Sequence, residues 1–559
     1  MALLKASKTI PELFETLTDE RRSKKRDILL MKKNEGKFQG ITYGEFKVET
    51  ERFAGGLSEM GIMTGDKIAI ISENRPEWAY SDMAILSLGA VDIPLYPSLT
   101  ADSIEFILNN SEARGIIVSN KFQLNKVKKI KDKCRHLKFI IIINDKDSES
   151  DGKTIFSFRQ VQERGSALIK DRPYFLKESI SHVKENDLCT IIYTSGTTGE
   201  PKGVMLSHKN ILSNVNSALD TFPIGEDDIF LSFLPLCHIF ERMTGYYTAF
   251  ACGALICYAE GIEAVALNMM EVHPTIITTV PRLFERIYSK IIKNVDSQSG
   301  TKKKIFYNAI EIGKQYHAAK RLGGASFSLI VKHKIADRLV FKNMRERMGG
   351  RLRFFISGGA PLSRDLGESF DAIGLIILEG YGLTESSPVI AANRPDDFKF
   401  GTVGKIFPNV DIKLAPDGEI LARGPNIMKG YYRNKKETDE VLKDGWLHTG
   451  DIGVFDSDGF LIITDRKKHL FKTSTGKYIA PTHIENLFLA SKYIDQFVLI
   501  GDRRMFLSAL IVPDYEAIQE YADANKIPYG KKEELAKSKE IYNLIEQDMA
   551  HIQKKLANF

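Results

Sequence analysis

The feature that most restricts how this chain can fold is an alternation that begins near residue 66. "KIAII" (Lys67–Ile71) is a short β-rich run, and Pro76–Ala90 then spaces its apolar residues as a helix does, with a proline near its start. "VDIPLY" follows, then a helix opened by Thr100 and Asp102, then "GIIVS" from Gly115. A basic amphipathic stretch turns Leu124, Val127, Ile130 and Cys134 to one side, and "FIIII" (Phe139–Ile143) closes the series. Strand runs that are apolar throughout need cover on both faces, which is the signature of a parallel sheet flanked by helices. The pattern resumes at Cys189, with apolar runs near 229–233, 255–258, 275–280 and 353–357. The expected class is α/β, with a large N-terminal domain of mostly parallel sheets. At 559 residues the chain is too long for one core.

The texture changes after Thr402. "DIKLAPDGEILARG" reads as a hairpin turning at Pro416, Asp417 and Gly418, and "GVFDSDGFLIITDR" as another turning at Asp458 and Gly459. These form a β-rich subdomain. Beyond Arg466 a small α+β pattern follows, with a helix from about Pro481, strands near 497–501 and 507–512, and helices from Tyr515. The expected domains are therefore 1–465 and a small, mobile 466–559.

Charge is uneven. The formal net charge is +6, yet Lys290–Arg347 holds 14 Lys and Arg against 4 Asp and Glu. Either a solvated helical face or a patch for an anionic partner, such as a membrane surface or a phosphorylated ligand, explains this. Nothing in the sequence calls for a nucleic-acid partner. The five cysteines include no CxxC pair, which fits reduced thiols in a cytoplasmic setting. The N-terminus lacks the apolar run of a signal peptide, and no stretch of about 18 apolar residues offers a membrane span. Any membrane contact is expected to be peripheral, on the inner face, through residues 290–350. A homodimer is left open.

The chemistry starts at "YTSGTTGEPKG" (Tyr193–Gly203), directly after the apolar run Leu188–Ile192. A strand ending in such a loop presents backbone N–H groups and short hydroxyl donors to an anion. Gly196 and Gly199 permit close backbone approach, Thr194, Ser195, Thr197 and Thr198 supply donors, and Lys202 adds a point charge. No GxxxxGK[ST] pattern is present in this loop, so it is not a Walker A loop. A mobile polar loop is the competing reading.

The loop resembles the phosphate-binding signature of the adenylate-forming superfamily of acyl-CoA synthetases, luciferases and adenylation domains. "SGGAPL" (Ser357–Leu362), "EGYGLTESS" (Glu379–Ser387), "GWLHTGDIG" (Gly445–Gly453) and "ITDRKKHLFKTSTGKYIAP" (Ile463–Pro481) resemble its later segments in the same order. "LPLCHIFER" (Leu234–Arg242) and "TVPRLFERIY" (Thr279–Tyr288) are most similar to the long-chain fatty acyl-CoA synthetase branch.

The resemblance implies an ATP-dependent ligation of a long-chain fatty acid to coenzyme A through an acyl-adenylate, with Mg²⁺. Ser195, Gly196, Thr197, Thr198, Gly199 and Lys202 would hold the β- and γ-phosphates beside Thr194, and Thr384 the α-phosphate. Glu385, with Thr197, would bind Mg²⁺, a hard ion suited to carboxylate oxygen. Tyr381 and Gly382 would meet the adenine, with the backbone of Gly358, Gly359 and Ala360 close to the base. Asp451 would accept from the ribose hydroxyls with Arg466 nearby, and Lys468 would be the hinge of the small domain. His238 would gate or orient the acyl carboxylate, and the acyl tunnel would run among residues 240–280. Some relatives gate this tunnel with tryptophan, whereas Trp78 and Trp446 both lie outside that stretch.

The late lysine of relatives, in a segment resembling LTPTxKxKR, has no counterpart here. Ile541, Ile545, Met549, Ile552, Leu556 and Phe559 keep helical spacing to the last residue. The small domain is therefore expected to be incomplete, with weak adenylation but retained thioester formation from supplied acyl-AMP. The alternatives are an aryl or medium-chain acid ligase, or a catalytically weak acyl- or nucleotide-binding relative.

Overall fold

A computed structural model describes residues 6–21, 28–194, 200–467, 471–472, 478–479, 481–489, 491–502, 504 and 506–553. Contacts divide the chain into two units. One comprises Met1–Asp411 with Ala422–Leu447, the other Ile412–Leu421 with His448–Phe559. The division places the turn at Gly418 and the chain from His448 with the second unit, upstream of Arg466.

The alternation from residue 66 becomes an eight-stranded sheet in the first unit. Its order is Gly430–Tyr431, Lys202–Ser207, Leu188–Thr194, Val91–Leu95, Lys67–Ile71, Gly115–Val118, Phe139–Ile142 and Ile155–Ser157. The strands from Leu188–Thr194 through Ile155–Ser157 run parallel, and the runs Ile68–Ile71, Val91–Leu95 and Phe139–Ile142 are buried. The helices between them begin where the sequence places start signals. Pro76 opens Pro76–Ser87, and the Thr100 side chain accepts from the Ser103 amide to start Ala101–Ser111.

A second sheet of nine strands has the order Lys405–Ile406, Val389–Ala392, Ile376–Gly382, Phe354–Ser357, Ile276–Thr279, Ile229–Ser232, Leu255–Tyr258, Ile28–Asn34 and Lys37–Thr42. Its middle is parallel, and antiparallel strands sit at both edges. Ligands of such sheets gather beyond the carboxyl ends of the strands, and the motif segments lie there. His238 follows Ile229–Ser232, Gly358 follows Phe354–Ser357, and Tyr381 lies near the end of Ile376–Gly382.

Two polar ties fasten these sheets together. Asn74, just past Lys67–Ile71, accepts from the Leu236 amide at 3.0 Å and donates to the Leu234 carbonyl at 2.7 Å and to Ser232 Oγ at 3.0 Å. Arg242 makes the second. It lies in Glu241–Thr248, a stretch of π-helix, the widened turn that recurs at functional sites. Its guanidinium is fully buried and donates to Asp82, to Asp92 at 2.8 Å, to Thr190 Oγ1 at 2.9 Å and to the Tyr247 hydroxyl at 3.0 Å. Trp78 lies beneath it, 5.3 Å from guanidinium carbon to ring centre. Thr190 is on Leu188–Thr194, the strand that leads into the loop before Lys202.

The second unit carries the hairpin Trp446–Phe455 with Leu461–Arg466, the first of these strands crossing the division. It continues with helix Pro481–Phe488, the antiparallel pair Ile494–Ile500 and Ser508–Pro513, and helices Tyr515–Ala524 and Lys539–Gln553. Ile479, Ile484, Phe488, Ile494, Phe497 and Ile552 form one core cluster, and Ile518, Ala522, Leu535 and Ile541 form another.

One buried guanidinium facing two buried carboxylates leaves an excess negative charge, which a proton on one acid removes. Burial pushes the Asp92 carboxyl well above its usual range, with Asp82 adding to the rise and Arg242 opposing it. Breaking such a cluster from the cationic side strands both acids. Arg242→Met is expected to lower stability by about 3–5 kcal/mol. Asp92→Asn, which mimics the protonated acid, should cost much less. Urea unfolding midpoints of the two variants measure this.

Candidate active site

The hairpin of Leu188–Thr194 and Lys202–Ser207 sets Lys202 directly across from Thr194. Ser195, Gly196, Thr197, Thr198 and Gly199 lie outside the described residues, so the geometry begins at Thr194 and resumes at Glu200. Lys202 forms an ion pair with Glu437, and its ammonium stands 5.5 Å from the centre of the Tyr431 ring. Tyr431 is delivered by the short strand Gly430–Tyr431, which pairs antiparallel with the same hairpin through Tyr431 and Val204. The Tyr431 hydroxyl donates to Glu385 Oε1 at 2.7 Å. Burial first, and then the Glu385 carboxylate, raises the Tyr431 pKa, so the phenol stays a donor.

One tyrosine thus joins the lysine and the carboxylate that the motifs nominate separately. Glu385 is half-buried in the turn Thr384–Ser386, and its backbone oxygen accepts from the Met428 amide at 2.9 Å. Thr384, also half-buried, adjoins it. Among the described residues no group of three His, Cys, Asp or Glu side chains could cage a metal ion. A Mg²⁺ carried by a nucleotide would need only one or two protein carboxylates, and Glu385 is the candidate for one.

The base-binding candidates cluster at neighbouring strand ends. Ser357 lies beside Glu379 in the register of the two parallel strands. Gly359 and Ala360 are exposed, with Gly359 at φ +82°. Tyr381 is half-buried and Gly382 exposed. Gly358 has a structural reason to lack a side chain, since a Cβ there would come within 2.9 Å of the Phe240 ring. This contact joins the acyl-side segment to the "SGGA" turn.

His238 is exposed, edge-on to Tyr96 at 6.4 Å between ring centres. The Phe240 amide donates to its Nδ1 at 3.1 Å, so the neutral ring carries its proton on Nε2. Its carbonyl accepts from the Arg242 amide at 3.0 Å. Trp78, far away in sequence, packs edge-on against Tyr246 at 5.9 Å and under Arg242.

In the second unit Asp451 is buried and lies opposite Arg466 in the hairpin, whose Nε donates to Asp451 Oδ1 at 3.0 Å. Lys467 pairs with Asp417 at 2.7 Å and Glu419 at 2.9 Å, which anchors the strand end ahead of the expected hinge. Lys468, the hinge candidate, lies outside the described residues.

Motif reading did not single out Tyr431, Glu437 or Asn74. Each joins the site through pairing across the fold, and none sits in a local pattern that marks it. Two buried acids also escaped it. Burial pushes the Glu379 carboxyl up to about 7, although the Leu362 amide donates to it at 3.2 Å. Burial likewise pushes Glu241, in the π-helical stretch, up to about 8.

Comparison with known proteins follows the same lines. Residues 18–432 match the family of AMP-binding enzymes. The chain is 34% identical over 498 residues to the long-chain-fatty-acid–CoA ligase FadD15 of Mycobacterium tuberculosis, which covers 89% of this chain and 81% of that one. It is 34% identical over 520 residues to the peroxisomal long chain acyl-CoA synthetase 7 of Arabidopsis thaliana, covering 88% of this chain and 71% of the relative. A solved adenylation domain of a carboxylate reductase from Mycobacterium chelonae superposes with a TM-score of 0.73 at 19% identity, over 98% of this chain and 83% of that one, which shows a shared fold.

The two raised acids set a pH dependence. A carboxyl whose pKa is higher in the folded than in the unfolded chain stabilises the fold fully below the unfolded value, and that contribution is lost as pH rises through the folded value. Stability from Glu379 and Glu241 should therefore decline from about pH 4.5 to about pH 7 and 8 respectively. Glu241→Gln should flatten the upper part of that decline, as read from melting temperatures across pH 5 to 9.

Proposed function

The chain belongs to the family of AMP-binding enzymes, and from that premise we propose that it ligates a long-chain fatty acid to coenzyme A at the expense of ATP. In the first step a carboxylate oxygen attacks the α-phosphorus, the α–β bridging bond breaks, and pyrophosphate leaves with the electron pair. In the second the CoA thiolate attacks the acyl carbon, and AMP leaves with the electrons of the carbon–oxygen bond. Two anions must meet in the first step, so the protein's work is to neutralise charge and align the reactants.

The observation that carries this reading is the junction at Tyr431. Lys202 neighbours its ring and Glu385 accepts from its hydroxyl, at the end of a strand hairpin suited to an anion. In this proposal Lys202, with Thr194 and the loop 195–199, holds the β- and γ-phosphates, and Thr384 holds the α-phosphate. A phosphate that takes Lys202 displaces Glu437, and Tyr431 keeps Glu385 aimed at the ion. Mg²⁺ on the nucleotide would add its own positive charge at the phosphates. Tyr381, Gly382 and the turn Gly358–Ala360 receive the adenine, and Asp451 with Arg466 the ribose. His238 presents Nε2–H to the acyl carboxylate and orients it. Rotation of the small domain about Lys468 would separate the two steps.

The long-chain preference is supported by the names of the relatives. The five cysteines are buried and unbridged, which fits a reducing cytoplasmic setting. No helix among the described residues is long and apolar enough to cross a membrane. Peripheral contact through residues 290–350 and a homodimer complete the proposal.

Acid-dependent pyrophosphate release across a series from hexanoate to stearate, with an aromatic acid alongside, tests the reading. Rates should peak with long chains and require ATP. Lys202→Ala and Glu385→Ala should each lower kcat/KM by about 100-fold or more, and Tyr431→Phe by about tenfold. Full rates in both alanine variants, or a preference for the aromatic acid, would contradict it.

A further inference from the structure

The helix Phe327–Ala336 continues without a break through Asp337–Phe341 and Lys342–Glu346, after the preceding helix Gly300–Arg321. Its inner side is conventional. Ala336 and Phe341 are buried in a core with Phe306, Ala309 and Ile310 of the neighbouring helix and Ile277 and Phe355 of the nine-stranded sheet. His333 stacks on Tyr316 at 3.9 Å between ring centres.

The outer side is not conventional. Phe327 is 82% exposed, Val331 40%, Ile335 55% and Leu339 63%, and Leu322 at the end of the preceding helix is 90% exposed. Four of these recur at every fourth residue, which makes one continuous stripe on a helix. A parallel row of Lys334, Arg338 and Lys342, also every fourth residue and also exposed, runs alongside it. Lys332 and Arg347 are exposed as well. Acids barely offset them. Asp337 is paired with Arg345 at 2.8 Å, and Glu346 lies 3.9 Å from Lys342.

A stripe of exposed large apolar side chains at one face marks a surface that something covers. The charge tells which kind of cover. Protein interfaces deplete lysine around their apolar cores. Here lysines stand immediately beside the apolar stripe, which is the pattern of helices that lie in a bilayer surface. Phe, Ile and Leu enter the boundary of the acyl region while Lys and Arg extend along it to the lipid phosphates.

We propose that the outer face of residues 322–342 docks flat on a bilayer containing anionic phospholipid. The proposal deepens the ligase reading and rests on it only for its purpose, since a long-chain acid dissolves in the bilayer from which the docked enzyme would draw it.

Co-sedimentation with vesicles of phosphatidylcholine alone, or with about a third phosphatidylglycerol, reads the docking without reference to activity. The full chain should bind the anionic vesicles and release as salt rises through the range where surface charges are screened. The triple variants Lys334→Glu/Arg338→Glu/Lys342→Glu and Phe327→Ser/Ile335→Ser/Leu339→Ser should each weaken binding by about tenfold or more while melting at the wild-type temperature. Both should ligate octanoate at wild-type rates and lose rate only with palmitate supplied in vesicles. Vesicle binding with no ligation of any acid would sink the ligase reading and leave the docking intact. Equal binding to neutral and anionic vesicles, unchanged binding by both variants, or a wild-type dimer in sedimentation velocity that the serine variant breaks into monomers would overturn the docking.

Discussion

Burying a guanidinium is costly unless acceptors and opposite charge meet it, and this chain buries one where its two large sheets come together. Arg242 reaches a helix through Asp82, one strand through Asp92 and another through Thr190. Two of these groups precede Arg242 by 150 residues or more, so a purely local segment could not have organised them. The third lies on the strand that runs into the phosphate loop. The acyl-side segment around His238 and Phe240 is thereby held in fixed relation to that strand. Asn74 repeats the tie a short distance away, with hydrogen bonds to Ser232, Leu234 and Leu236. Packing alone leaves sheets free to slide by small amounts, whereas directed hydrogen bonds to a buried charge do not.

That rigidity has a chemical purpose in the proposed reaction. A carboxylate must approach a phosphorus surrounded by negative oxygens, and about an ångström of misplacement is expensive in such an encounter. The groups proposed for the two partners come from different sheets. Lys202 stands on the eight-stranded sheet, while His238, Gly358 and Tyr381 stand at strand ends of the nine-stranded one. The contact of Phe240 with Gly358 and the Tyr431 bridge from Lys202 to Glu385 connect these sets side chain by side chain.

Much of the fold was legible in the sequence, and the reason is periodicity. Runs such as Lys67–Ile71, Leu255–Tyr258 and Phe139–Ile142 announce buried strands because each is short, apolar and followed by a helix opener. The hairpin turns at Gly418 and Gly459 show through because both need positive φ. Lys202 and Glu385 were legible through their motifs, and the second-unit pair Asp451 and Arg466 through theirs. Tyr431, Glu437, Asn74 and the partners of Arg242 were not. They act through pairing over long sequence separations, and no local pattern of residue types encodes which distant strand an aromatic residue will meet. Trp78 makes the same point. Its place against Tyr246 follows from topology, so its position in the chain was a poor guide to its surroundings.

In the proposed reaction the ammonium of Lys202 binds the nucleotide's phosphates and must leave Glu437 to do so. Calorimetric titration of the intact protein with MgATP measures this exchange. Lys202→Met should weaken binding by about tenfold or more, and Glu437→Gln, which removes the competing carboxylate, should tighten it. Equal affinity in wild type and Lys202→Met, or weaker binding in Glu437→Gln, would contradict it.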